Sequence, residues 1–121
     1  MTADEMSDRL IDFAARVGIV VDALPESRMG RHVAGQLIRC STSPAPNYEE
    51  ARAAESRADF VHKLHIVLKE LRESRCWLRL IAKANLLPEH RMGSILDECG
   101  QLCRIIGRSL ATAKARDRHE P

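Results

Sequence analysis

The chain has 121 residues, 45% of them apolar and 30% charged, with a formal net charge of +2. That length suits one domain able to bury roughly two-thirds of its unfolded surface. One Trp, one Tyr and two Phe are too few for a β-rich core or an aromatic platform that stacks single-stranded bases, and a pI near 8.5 does not by itself imply nucleic-acid binding.

No apolar run approaches the roughly eighteen residues of a membrane span. The start, MTADEMSDRL, is acidic where a secretory signal is basic, so the protein is expected in the cytoplasm. Cys40, Cys76, Cys99 and Cys103 form no C-x-x-C pair. In a reducing compartment they are expected to be core or near-surface thiols, neither disulfides nor zinc ligands.

Met6, Leu10, Phe13, Val17, Val20 and Leu24 recur at helical steps, which predicts a first helix over residues 5–24, with Ile11 and Val21 widening its apolar face. Asp4, Glu5 and Asp8 complement the dipole at its start, and Pro25 ends it. A second helix is expected from Met29 or Gly30, with Val33, Leu37 and Cys40 inward and Ile38 beside them. Pro44 and Pro46 each remove an amide and disfavour helical geometry at the residue before. Either the helix kinks there, or it stops and restarts with Ser43 as N-cap and Pro44 as first helical residue. Nothing is long enough to be a linker, so one kinked helix, continued by Tyr48, Ala51 and Ala54, is favoured.

The third helix dominates the pattern. Ser56 to Asn85 contains no Pro and no Gly, and at about 1.5 Å per residue it makes a rod roughly 45 Å long. Ser56 with Asp59 predicts the start, in the manner of a capping box. Phe60, Leu64, Val67, Leu71, Leu78 and Ile81 form one apolar stripe, interrupted at Ser74. A second seam, Asp59, Lys63, Ile66, Glu70, Glu73 and Trp77, follows the same rhythm about a third of a turn away. It suggests a second neighbour for the helix; the alternative is solvated charge with Trp77 capping the core.

Leu86-Leu87-Pro88 turns the chain, and Pro88 is placed as the first residue of a fourth helix carrying Met92, Ile95, Cys99, Leu102, Ile106 and Ala113, with Leu96, Cys103 and Leu110 one position on. Gly93, Gly100 and Gly107, spaced by seven, suggest close approach of another helix. The charged tail from Lys114 to Pro121 is expected to fray. The whole predicts an all-α, antiparallel up-down four-helix bundle with a kinked second helix.

An ordered string of motifs then carries a resemblance. Gln36-Leu37-Ile38-Arg39, Ser41-x-Ser43-x-x-x-Asn47-x-x-Glu50-Ala51, Ser56-x-x-Asp59-Phe60, Lys63-Leu64-x-Ile66-x-Leu68-Lys69-Glu70-x-x-Glu73 and Trp77-Leu78 resemble the "four helix bundle protein" family. Its members are also called 23S rRNA-intervening-sequence proteins, some being encoded inside insertions in bacterial 23S rRNA genes. Cys40 stands where a small hydroxyl residue is expected. The resemblance, from about Phe13 to Lys114, implies a homopentameric ring and a relation to the accessory proteins of diversity-generating retroelements, basic pentamers associated with nucleic acid and a reverse transcriptase. It further implies that Arg39, Asn47, Glu50, Asp59, Lys63, Lys69, Glu70 and Glu73 form a buried or interfacial network, and that Ile66 and Trp77 share the seam with a neighbour.

Arg72, Arg75, Arg79 and Lys83 fall within about a quarter of the third helix's circumference. Arg28, Arg31, His32 and Arg39 share a side of the second helix, and Arg104 and Arg108 lie on the fourth. Repeated around a ring, such stripes would track phosphates; alone, they equally suit arginines that complement helix dipoles and pair with nearby Glu. A di-metal bundle needs two E-x-x-H units, and only Asp59-x-x-His62 approximates one. No G-x-S-x-G, H-E-x-x-H or phosphate-loop pattern occurs. The expectation is therefore a non-enzymatic, cofactor-free bundle that self-assembles and binds RNA or DNA, with a protein–protein adaptor as the alternative.

Overall fold

The computed structural model describes the backbone of residues 1–119 and the side-chain surroundings through Arg116. The chain folds as helices α1 (Ala3–Ala23), α2 (Arg28–Thr42), α3 (Pro44–Arg52), α4 (Arg57–Lys83) and α5 (Gly93–His119), with a 3-10 turn at Glu89–Arg91 and no strand among the described residues. Ser43, between α2 and α3, keeps right-handed helical angles and makes no capping bond with its side chain. The prolines therefore bend one helix, and the result is a four-helix bundle whose second member is the α2–α3 pair. Packing runs round a square: α1 meets α2, α3 and α5, while α4 meets α2, α3 and α5.

The starts of α1, α2 and α4 are each set by a side chain satisfying an orphan amide. Thr2 accepts from the Glu5 amide at 3.1 Å, Ser27 from Gly30 at 3.0 Å, and Ser56 from Asp59 at 3.1 Å. The end of α4 is equally specified. Asn85 takes a positive φ of 53°, and the amides of Asn85 and Leu86 donate back to Ala82 and Ile81. That pair of hydrogen bonds closes the helix where apolar Leu86 folds onto the core. Gly30 is required at the first corner, since a Cβ there would lie 2.0 Å from the Pro25 carbonyl oxygen.

The core contains all six predicted stripe residues of α1 and, on α4, Leu64, Val67, Leu71, Leu78 and Ile81. Ser74, the polar step in that stripe, is fully buried. Its hydroxyl donates to the Glu70 carbonyl at 2.8 Å and lies 3.2 Å from Cys40 Sγ, which is how a polar step survives there.

Five expectations are corrected. Ile11 does not widen the buried face but stands 54% exposed. Ala54 falls beyond the end of α3. Pro88 precedes the 3-10 turn, and α5 begins only at Gly93. Among the described residues no helix closes on the spaced glycines: a Cβ at Gly93 or Gly107 would meet nothing within 4 Å, and one at Gly100 only Arg104 Nη1 at 3.5 Å. The tail does not fray at Lys114, because α5 runs on to His119; Glu120 and Pro121 lie outside the described residues.

Candidate functional site

All six residues of the second seam on α4 are half-buried, and four of them, Lys63, Glu70, Glu73 and Trp77, meet the chain's own bent second helix. Arg39 of α2 reaches across to Glu70 at 3.2 Å and to Glu73. The Trp77 indole N–H donates to Glu73 at 3.1 Å, and the Trp77 ring meets His32 of α2 edge-on, with centroids 5.7 Å apart. Lower down, Lys63 faces Glu50 of α3 at 3.5 Å. Asn47 works within α3, donating to the Ser43 carbonyl and hydroxyl at 3.0 Å and bracing the bend where the prolines supply no amide. The Trp77 bond, and then Arg39, hold the Glu73 carboxyl below the usual carboxylate range.

Two further seams are stapled in the same way. Arg9 of α1 grips Glu98 of α5 with two bonds, at 2.8 and 2.7 Å, and Gln101 with a third. Ser7, Glu49, Arg52 and Asp4 link α1 to α3. The sequence reading missed both groups. The available signal was position: Ser7, Arg9 and Glu98 each sit beside a core residue, Met6, Leu10 and Cys99, where a polar head reaches the next helix's edge.

The flank between α4 and α5 is built differently. Arg72, Arg75, Arg79 and Lys83 of α4, and Arg104 and Arg108 of α5, are exposed. None makes a salt bridge or hydrogen bond to a described residue. Arg72, Arg104 and Arg108 line one groove of about 440 Å³ with Cys103, Gly107 and Ala111. Arg108 also borders a second cleft of about 350 Å³ with Phe60, Ser109, Thr112 and Arg116, so cationic side chains continue along α5 past a half-buried aromatic ring.

The thiols divide accordingly. Cys40 and Cys99 are fully buried, and burial pushes the Cys40 thiol up. Cys99 donates to the Leu71 carbonyl at 3.4 Å, and the neighbouring Cys103 sulfur, with burial, keeps it protonated. Cys103 is held below the ordinary thiol range, first by the neighbouring Cys99 and then by Arg75, Arg72 and Arg104. Among the described residues, no three His, Cys, Asp or Glu side chains gather as a metal site, and no helix is long and apolar enough to cross a membrane.

The arginines expected to contact nucleic acid thus separate. Arg72, Arg75, Arg79 and Lys83 share the open flank. Arg28 is exposed at the start of α2, and Arg31 is tied to the Glu26 carbonyl at 2.7 Å. Arg39 is engaged with Glu70 and Glu73 and belongs to the closed network.

A model of the 23S rRNA-intervening sequence proteins matches residues 5–108. The chain belongs to that family. Both flanks of α4 lie inside the matched span, so neither is an appendage to the family fold. The chain is also similar to the crystal structure of a protein of unknown function from the S23 ribosomal protein family of Bacteroides thetaiotaomicron, at 29% identity and a TM-score of 0.77, covering 87% of this chain and 97% of that one. No curated protein sequence matches it.

Proposed function

We propose that this protein is a non-enzymatic, cytoplasmic bundle that assembles as a homopentameric ring and binds RNA or DNA through the α4–α5 flank. The observation that carries this reading is a set of cations unpaired with any described residue: Arg72 faces Arg104 and Arg108 across one groove, and Arg75, Arg79 and Lys83 stand exposed further along α4. Like charges brought together without counter-charges repel, and folding alone gains nothing from the arrangement. A polyanion compensates it. Phosphate oxygens accept from guanidinium forks, and releasing condensed counterions drives the association.

Self-assembly is supported by apolar side chains that the monomer leaves open, Ile19 at 65% and Ile11 at 54% exposed on α1, with Met29 and Ile38 on α2. The same residues favour a second reading, in which the ring is a protein–protein adaptor with no nucleic-acid role. Native mass spectrometry of gently purified protein tests assembly, with five chains expected. Titration of labelled RNA and DNA against salt tests the ligand. Binding should weaken steeply as salt rises and should fall at least about ten-fold in Arg75→Glu/Arg79→Glu, with a shallower salt slope. Salt-insensitive capture of a polypeptide, with no nucleic acid bound, would establish the adaptor instead.

A further inference from the structure

Cys103 is the thiol that lines the α4–α5 groove. Arg72 stands on the opposite lip, Arg104 and Arg108 share its own helix, and Cys99 lies one turn below and behind it. Cys76 makes a natural comparison. It is exposed, and it sits on α4 among Arg72, Arg75 and Arg79. Accessibility and local charge along one helix would therefore make Cys76 the more reactive of the two. What Cys103 has in addition is cations on two sides of an open groove, Arg72 from α4 and Arg104 and Arg108 from its own helix. These are the conditions that select a thiolate nucleophile.

We propose that Cys103 is a modification site for small anionic disulfides, which the guanidinium groups of Arg72, Arg104 and Arg108 hold by their carboxylates while the Cys103 thiolate attacks one sulfur. The Cys103 proton is released to solvent, a new sulfur–sulfur bond forms, and the incoming disulfide breaks. Its departing half leaves as a thiolate and takes up a proton. The disulfide is the oxidant, Cys103 and one half of it end as a mixed disulfide, and the other half ends reduced. The adduct places carboxylates among the arginines that phosphates would otherwise occupy, so modification closes the groove to a polyanion. This consequence rests on the nucleic-acid reading above; the modification itself does not.

The test uses the reduced, full-length protein exposed at neutral pH and low salt to oxidised glutathione, an anionic disulfide, or cystamine, a cationic one, with peptide mass mapping over time. With oxidised glutathione, Cys103 should be modified about ten-fold faster than Cys76, and the advantage should shrink several-fold in Arg104→Gln/Arg108→Gln and at high salt. Cystamine should show no such advantage. Equal or faster reaction at Cys76, indifference to the arginine substitutions, or a Cys99–Cys103 disulfide as main product would each overturn the assignment. RNA binding by reduced and modified protein then separates the two ideas. Loss on modification is expected, and RNA retained by the adduct overturns the closure. Reduced protein that binds neither RNA nor DNA overturns the proposed function, while the labelling ratio still decides the site.

Discussion

Toward α2 and α3, helix α4 turns Lys63, Glu70, Glu73 and Trp77, and each finds a partner in Glu50, Arg39 or His32. Toward α5 it turns Arg72, Arg75 and Arg79, and none of them pairs with a described residue. Both flanks are rich in charged side chains, but one alternates signs across the helix–helix boundary and the other places the same sign on both lips. Alternation makes a seam that the chain satisfies by itself. Repetition of sign makes a surface whose compensation has to come from outside.

The contrast can be broken or sharpened by substitution. The largest effect should come from Leu71→Ala, whose side chain lies fully buried behind both flanks; it should cost about 2–5 kcal/mol in chemical denaturation and set the scale for the rest. Trp77→Ala removes the His32 contact and the bond to Glu73, and should cost on the order of 2 kcal/mol. An unchanged unfolding midpoint would mean that the closed flank is not held by its own chain. Glu73→Gln should act through acid stability. The Glu73 carboxyl is held low in the folded protein, so its contribution is present above the ordinary carboxylate pKa of about 4.3 and lost as pH falls through the lowered folded value. The difference between wild type and Glu73→Gln in thermal melts should therefore shrink on acidification. The smallest effect on stability belongs to the open flank. Arg75→Glu/Arg79→Glu should stay within about 0.5 kcal/mol of wild type, and a larger destabilisation would reveal partners that the monomer does not show.

Much of this architecture could be foreseen because it is local. The 3-4 spacing of Met6 to Leu24, the Ser56 cap and the prolines at 44 and 46 all act within a few residues, and the helices and the bend follow from them. The second seam was equally visible as a pattern, but periodicity shows only that a face is covered. A neighbouring copy and the chain's own α2–α3 predict the same half-buried Glu70 and Trp77. The glycines misled for a related reason, since the lack of a Cβ is compatible with a packed helix and with an open groove. Past Lys114 the apolar stripe ends, yet α5 continues to His119, because a helix already nucleated adds each residue cheaply.

By itself, then, the amino-acid order determined where helices begin, bend and carry their apolar stripes, since these depend on contacts a turn or two apart. Tertiary structure alone decided which charges meet. Arg39 and Arg72 look alike along the chain, but one lies 31 positions from a facing Glu70 and the other lies opposite Arg104 and Arg108 across a groove. Pairing depends on which helices become neighbours and at what rotation, and that is a property of the packed bundle.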